Sequence, residues 1–326
     1  MRSSFIKRIK SGNSFKYTDI NGNPIKDPKI IKHITSIRVP PAYRDVQIYT
    51  DPKSKIFAKG IDEAGRSQYI YNPKYVEKQS KNKYCNLIKF GKKLPKIRAE
   101  VDKMIRSNKL LTKEKMIGLI LRIIMQCNFR VGNDIYKKKH SSYGVSTIEN
   151  KHIKFKGSNK AEISFIGKKG VLNECLVSNS TLVSQLRELI DKCGKDGVLF
   201  RYKDPENGKE KKIKATDINE FLSKFGPFTS KSFRTYEANL IILERLFKED
   251  ISDVLTHRKK QVVALIKEVA IELHHTPAIC RKSYLIPDIL NTYIEHPDKF
   301  KELKRRYNAG NKISNILLDY LGSICS

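Results

Sequence analysis

The sequence predicts an α+β fold of two domains, a small β-rich domain at residues 1–80 and a larger, mainly helical domain at residues 81–326. Three observations support this prediction. Short segments of alternating apolar and polar residues dominate the first 71 residues. The stretch from Asn72 to Lys83 is polar and basic, as linkers are. Beyond it, apolar residues recur at helical spacing, with one β interruption.

The first domain is predicted to consist of short strands and turns. Alternation predicts strands at residues 15–18, 46–49 and 67–71. Asn21-Gly22-Asn23-Pro24 has the residue types of a tight turn. Tyr69 and Tyr71 lie two positions apart, so they are expected to share one face of the last strand.

The second domain is predicted to be built mainly from helices. Ile97, Val101 and Ile105 recur at the spacing of one helix face. Thr112 can cap the next helix, which is apolar nearly all round at residues 116–123 and is therefore predicted to be buried. Further helices are predicted at residues 180–193, 216–225, 230–246, 259–274 and 314–321.

One β interruption divides these helices. Residues 153–156, 162–166 and 171–177 alternate, and Lys168-Lys169-Gly170 is the predicted turn of a hairpin. After the helix ending near residue 274, residues 274–284 are again predicted to be helical.

The charge of the chain indicates its partner. The 326 residues carry 65 Lys and Arg against 34 Asp and Glu, a formal net charge of +31. Such a field attracts phosphate polyanions and makes binding sensitive to salt. With 39% hydrophobic residues each domain can form a core, so the chain is predicted to be a folded protein and not a basic tail.

The apolar runs and the cysteines exclude other classes. The longest apolar run, residues 116–127, contains Arg122 and is too short to span a membrane, so no membrane partner is expected. The N-terminus lacks the apolar core of a secretory signal. The six cysteines show no regular spacing and no C-x-x-C pair. They are predicted to be reduced thiols of an intracellular protein, without a disulfide framework or a metal site.

The most informative segment holds His275 and Tyr284, nine positions apart. A tyrosine can act as a covalent nucleophile toward a phosphodiester. Such chemistry needs fixed cations on the non-bridging oxygens and a proton for the leaving oxygen. Arginine suits the first role because its planar fork stays charged, and lysine suits the second.

The chain supplies such a set in order. Its members are Arg130, Lys168, Arg234, His275 and Tyr284. Each residue alone has an ordinary structural explanation, as a core tyrosine, a solvated hairpin lysine or a salt-bridge arginine. Their joint occurrence in this order predicts the site.

The set and its flanking motifs resemble the type IB DNA topoisomerases of the small poxvirus kind, above all the mimivirus enzyme. The resemblance covers most of the chain. Its motifs are Gly65-Arg66-Ser67-Gln68-Tyr69-Ile70-Tyr71, Phe165-Ile166-Gly167-Lys168, Phe233-Arg234-Thr235-Tyr236, His275-Thr276-Pro277 and Lys282-Ser283-Tyr284.

The resemblance implies a role for each residue. Tyr284 attacks the scissile phosphate and forms a 3′-phosphotyrosyl bond. Arg130, Arg234 and His275 hold the phosphorane oxygens, and Lys168 protonates the leaving 5′ oxygen. No metal and no cofactor are required, and resealing needs no ATP.

The resemblance also implies how DNA is held. The two domains would close as a C-shaped clamp around duplex DNA, and the protein would act as a monomer inside the cell, in a virion or a cytoplasmic virus factory if it is viral. The implied DNA-contacting residues are Gln68, Tyr69, Tyr71, Tyr136 and Lys231.

Other classes compete with this interpretation. Tyrosine recombinases use a similar set but typically carry His-x-x-Arg at the second arginine, where this chain has Lys231-Ser232-Phe233-Arg234. A non-enzymatic duplex DNA-binding protein fits the charge equally well but does not explain the phosphate-transfer set. An RNA-modifying enzyme would need a cofactor loop, which the sequence lacks.

Overall fold

The computed structural model describes residues 5–135, 137, 141–193 and 197–325. The chain divides into two compact units, residues 1–83 and 84–326.

The strands are β1 (Ile6–Ser11), β2 (Ser14–Thr18), β3 (Arg44–Ile48), β4 (Ile56–Ile61), β5 (Ser67–Tyr71), β6 (Ile153–Phe155), β7 (Ala161–Ile166), β8 (Leu172–Val177), β9 (Arg201–Lys203) and β10 (Glu210–Lys212). The helices are α1 (Pro28–Ser36), α2 (Pro73–Arg106), α3 (Lys113–Cys127), α4 (Ser180–Cys193), α5 (Ala215–Ser223), α6 (Ser230–Lys248), α7 (Leu255–Glu272), α8 (Pro277–Ser283), α9 (Pro287–Glu295), α10 (Pro297–Asn308) and α11 (Ile313–Cys325).

The first unit is an antiparallel sheet of five strands in the order β2-β1-β3-β4-β5, with α1 packed on it. Its core contains Ile34 of α1 together with Val46 and Ile48 of β3. The prediction of strands and turns alone missed α1. The sequence did carry its start signal, since Asp27 caps the helix through Lys29 N and Pro28 is its first residue.

The predicted linker at residues 72–83 is wrong, because α2 begins at Pro73 and runs through it. Asn72 Oδ1 accepts a hydrogen bond from Lys74 N at 3.0 Å and so caps the helix. A proline is favourable in the first turn, and lysine and glutamine are good helix formers. The composition that suggested a linker therefore belongs to an exposed stretch of helix.

The second unit is built around α3, as the sequence predicted. Thr112 accepts from Lys115 N and caps this helix, in which Met116, Leu119, Ile120 and other residues are fully buried. The β interruption forms an antiparallel sheet in the order β6-β7-β8, whose last two strands form the predicted hairpin. Within the described ranges, none of the helices has the length and apolarity that crossing a bilayer requires.

The prediction that the cysteines lack disulfides is wrong for four of the six. Cys127 at the end of α3 is bonded to Cys175 on β8, and Cys85 on α2 is bonded to Cys325 on α11. The partners are 48 and 240 residues apart, so spacing could not pair them. Cys280 is a free, buried thiol.

Candidate active site

The structure brings the five predicted catalytic residues together. Arg130, Lys168, His275 and Tyr284 line one cavity of about 310 Å³, together with Lys231 and the unpredicted Lys169. Arg234 is buried and lies within hydrogen-bonding distance of His275. The cavity lies entirely within the second unit.

His275 and Tyr284 do not share one helix, so the helix predicted at residues 274–284 is wrong in part. Helix α7 ends at Glu272, and His274 adopts a left-handed conformation with φ 53°. Helix α8 then begins at Pro277, because proline favours an extended conformation in the residue before it. His275 lies in the resulting turn, where its N–H donates to Ala270 O at 2.8 Å.

His275 is held between two arginines. Its Nδ1 is in contact with Arg130 Nη2, and its Nε2 lies 2.7 Å from Arg234 Nη2. The side chain is only 8% exposed. Burial and the charges of Arg234 and Arg130 lower the pKa of His275 to about 2. The imidazole is therefore neutral and carries one N–H at physiological pH.

The depressed pKa of His275 predicts a dependence of stability on pH. Because the folded value lies below the unfolded value of about 6.5, the unfolded chain binds a proton that the folded chain does not. The contribution of the neutral His275 to the free energy of unfolding is thus fully present above about pH 6.5 and is lost as the pH falls below that value. We expect His275→Gln to reduce the loss of unfolding free energy between pH 7.5 and 5 by about 2 kcal/mol. Urea unfolding at the two pH values measures this difference, and identical losses in both proteins would contradict it.

The two arginines are placed by different elements. Asn128 caps the C-terminus of α3 in a left-handed conformation, and Arg130 follows two residues later. Nη1 of Arg130 donates a hydrogen bond to His274 O at 3.3 Å. Arg234 lies in α6, is 2% exposed and donates from Nη2 to Leu273 O at 2.5 Å. Its Nε and Nη1 are buried and have no hydrogen-bond partner among the described residues. Burial lowers the pKa of Arg234 to about 10, an effect that Tyr284 opposes and Arg130 reinforces, so the guanidinium remains charged at neutral pH.

Tyr284 caps the C-terminus of α8 and is 7% exposed. Its ring centroid lies 4.3 Å from that of His275, 5.3 Å from Lys231 Nζ and 5.4 Å from Arg234 Cζ. Arg130 also interacts with Tyr284, including through a side-chain hydrogen bond, and this interaction opposes the lowering of the Arg130 pKa by burial. Three cations, Lys231, Arg234 and Arg130, and the neutral His275 therefore surround the phenol.

Lys168 lies at the turn between β7 and β8, where the sequence predicted it. Lys169 and Gly170 both have positive φ, which tightens the turn. A Cβ at Gly167 would displace the side-chain amide of Asn173, so glycine favours this close approach. Both Lys168 and Lys169 line the cavity.

The candidate DNA-contacting residues belong to different parts of the two units. Tyr69 and Tyr71 are 44% and 45% exposed on one face of β5, and Tyr75, which the sequence analysis did not select, stacks on Tyr71 at 6.0 Å. Gln68 lies on the opposite face, where its amide donates to Asp62 Oδ2 at 2.8 Å. Lys231 belongs to the cavity, and Tyr136 lies outside the described residues.

Family models match both units of the chain. The model of the catalytic core of eukaryotic DNA topoisomerase I matches residues 72–311, and that of the N-terminal domain of bacterial DNA topoisomerase IB matches residues 14–62. The first match alone covers well over half of the sequence. The chain belongs to the type IB DNA topoisomerases.

Viral relatives match this topoisomerase along nearly its whole length. DNA topoisomerase 1B of Acanthamoeba polyphaga mimivirus is 32% identical over 309 residues, covering 92% of this chain and 90% of the relative. DNA topoisomerase 1 of Rabbit fibroma virus is 26% identical, covering 91% and 88%. DNA topoisomerase 1B of vaccinia virus (strain Copenhagen) is 26% identical, covering 89% of each chain. These relatives confirm the predicted family and suggest a viral origin.

Among solved structures, the XerH site-specific recombinase bound to a palindromic difH substrate shows a distant likeness to the topoisomerase. The TM-score is 0.34 at 14% identity, covering 76% of this chain and 58% of that chain. The family model and the mimivirus relative both belong to the topoisomerases, and they therefore favour a topoisomerase over a tyrosine recombinase.

Proposed function

We propose that this topoisomerase relaxes supercoiled duplex DNA by reversible transfer of one strand to Tyr284, without metal or ATP. The Tyr284 oxygen forms a bond to the scissile phosphorus as the bond to the 5′ oxygen breaks. The phenolic proton passes to solvent, and the 5′ oxygen takes a proton from Lys168 and leaves as a hydroxyl. Supercoils relax by rotation of the free end, and the 5′ hydroxyl then attacks the phosphotyrosine to restore the strand. The phosphodiester energy is conserved in the covalent bond, so resealing needs no nucleotide.

The observation that carries this proposal is the group of cations around Tyr284. Arg130 and Arg234 lie on either side of His275, and Arg234 has two buried nitrogen atoms, Nε and Nη1, without a partner among the described residues. Buried donors of this kind are costly unless an acceptor binds to them. Two non-bridging phosphate oxygens, which gain negative charge during transfer, are suitable acceptors. The arginines would supply the charge that a metal supplies in other phosphoryl-transfer sites.

The neutral His275 supports the same arrangement. A guanidinium offers only donors, so the single N–H of His275 cannot be satisfied by Arg130 or Arg234. A phosphate oxygen close to the imidazole would accept this N–H. Lys168, which lines the same cavity as Tyr284, is proposed to protonate the leaving 5′ oxygen.

We propose that the domain at residues 1–80 binds one side of the DNA duplex and the domain at residues 81–326 binds the other side. The two domains would then act as a C-shaped clamp. The exposed Tyr69 and Tyr71 of the first domain can contact sugar edges and thymine methyl groups, while Gln68 would first have to release Asp62 to reach a base. We further propose that the protein is a monomer that works inside the cell, in a virion or virus factory if it is viral.

Relaxation of plasmid DNA tests the reaction. We expect both positive and negative supercoils to be removed in the presence of EDTA and without nucleotide, since fixed arginines bind the phosphate. Gel electrophoresis of the topoisomers, with SDS and protease added at the end, measures relaxation and the covalent adduct together. An absolute requirement for Mg²⁺ or ATP would refute the mechanism.

A further inference from the structure

The disulfide between Cys127 and Cys175 joins two segments of the candidate site, and the proposed reaction does not explain it. Cys127 is the last residue of α3, three residues before Arg130. Cys175 lies on β8, in the hairpin whose turn carries Lys168. The two Cα atoms are 5.6 Å apart. The bond therefore ties the segment of an arginine proposed to bind the phosphate to the hairpin of the proposed acid.

The α3 side of this disulfide is held by hydrogen bonds of its own. Cys127 is 4% exposed, and its carbonyl oxygen lies 3.2 Å from His274 Nε2. Arg130 O accepts from Val145 N at 2.9 Å, and Arg130 Nη1 donates to His274 O. These contacts fix the end of α3 and Arg130 whether or not the disulfide is present.

The hairpin side is less firmly held, because β8 is the edge strand of the sheet β6-β7-β8. Leu172 and Leu176 on its outer face are about half exposed, while Cys175 is partly buried against the core. Between the disulfide and the turn, Asn173 is 1% exposed and donates from Nδ2 to Val171 O at 2.8 Å. This bond stiffens the strand, so a displacement at Cys175 is passed on to the turn.

Reduction would produce such a displacement. Two bonded sulfur atoms lie closer than any two non-bonded heavy atoms, so breaking the bond separates them by roughly 1.5 Å. The surrounding core is close-packed and leaves little room for this separation. Since the end of α3 is held and β8 lies at an edge, the hairpin is the part that moves. Misplacement of a catalytic group by about 1 Å can slow a reaction by about a hundredfold.

We propose that the Cys127–Cys175 disulfide is a redox switch of strand cleavage. The bonded form holds Lys168 where it can protonate the leaving 5′ oxygen, and the dithiol form cleaves slowly. This inference rests on the proposed role of Lys168 as the acid. Disulfides persist at virion and cell surfaces and are reduced in the cytosol, so the cleavage rate would differ between these settings.

A dithiol reductant supplies the two electrons and two protons that the change requires. One thiolate of the reductant attacks the sulfur of Cys175, which is partly exposed, and Cys127 leaves as a thiolate that takes a proton. The second thiol of the reductant then displaces the sulfur of Cys175, which is also protonated. The protein gains two thiols, and the reductant leaves as a disulfide.

Single-turnover cleavage of two duplexes tests the switch. They differ only in the bridging 5′ atom of the scissile phosphate, which is oxygen or sulfur, and a thiolate leaves without an acid. We expect dithiothreitol to slow cleavage of the oxygen duplex by about 10-fold, part of the roughly 100-fold or more that a general acid contributes. Cleavage of the sulfur duplex should be unchanged. Alkylation and mass spectrometry measure the bond state of Cys127 and Cys175.

Two variants provide the controls. Cys175→Ser cannot form the bond, so it should cleave the oxygen duplex slowly and the sulfur duplex normally, with or without dithiothreitol. Cys85→Ser removes the other disulfide, which joins α2 to Cys325 of α11 outside the cavity. It should therefore keep the full response to reduction.

Three results would overturn the switch. A smaller reacting amplitude with an unchanged rate constant after reduction would show that the disulfide only stabilises the fold. Equal slowing on both duplexes would show that reduction does not act through Lys168. A normal rate on the oxygen duplex in Cys175→Ser would show that the bond is not needed. If that variant does not fold, the reduced and oxidised forms of the natural chain decide by the first two criteria.

Lys168→Ala separates this proposal from the proposed function. If the oxidised variant is equally impaired on both duplexes, the acid role of Lys168 is wrong. If it is impaired on the oxygen duplex alone, while reduction of the natural chain changes neither rate, only the switch is wrong.

Discussion

Replacing Tyr284 with phenylalanine is expected to abolish the covalent adduct and plasmid relaxation. The change removes one oxygen, and with it the nucleophile that forms the phosphotyrosine. The aromatic ring, which is 7% exposed and packs beside His275, stays in place, so folding and DNA affinity should be nearly unchanged. Incubation with a labelled duplex followed by SDS electrophoresis measures the adduct, and a gel-shift titration measures affinity.

Tyr293→Phe provides the matched control. Tyr293 is also a buried tyrosine, and its hydroxyl donates to Gln261 Oε1 at 2.8 Å, away from the cavity. The variant loses the same atom and should form the adduct at the normal rate. An adduct in the Tyr284 variant equal to that of the control would assign the nucleophile to another residue.

The elements that the sequence predicted well are those defined by local signals. Helix α3 was predicted from the Thr112 cap and an apolar run, and the hairpin from alternation around Lys168-Lys169-Gly170. In both cases the physical cause lies within a few residues, in a cap, a turn or a periodicity. Strand β5 was predicted in the same way.

Composition does not predict conformation at the start of α2, and local spacing does not predict contacts between distant residues. The lysine-rich run before residue 84 is helical because Asn72 and Pro73 start α2, which its polarity concealed. The disulfides join residues that only the folded chain brings together, so spacing carried no signal for them. Pro277 was the local signal for the break between α7 and α8 that the predicted helix overlooked.

The candidate site shows the same division. Its residue types and their order were evident from the sequence, because phosphate transfer to a tyrosine demands particular side chains. The contacts between them were not, since Arg130 and Arg234 reach His275 from segments 145 and 41 residues away.

Replacing Arg234 with methionine is expected to slow cleavage by about 100- to 1000-fold, the effect of removing one donor that stabilises transition-state charge. Methionine is unbranched and favours helices, so it can occupy much of the same space in α6. The variant loses the bond from Nη2 to Leu273 O, but it also loses the cost of burying Nε and Nη1, which have no partner among the described residues. Because these two effects oppose each other, we expect Tm to change little. Single-turnover cleavage and thermal unfolding measure the two effects.

Arg258→Met should show the opposite behaviour. Arg258 is 6% exposed, and its guanidinium donates to Ile294 O at 2.7 Å and to Ser252 O at 2.6 Å. Loss of those bonds leaves the buried Ile294 carbonyl and the partly buried Ser252 carbonyl without these donors, so Tm should fall while each folded molecule cleaves at the normal rate. If Arg234→Met also lost stability but kept its cleavage rate, Arg234 would be a structural residue like Arg258. A slow and stable variant would instead identify a buried charge that is retained for the phosphate it binds.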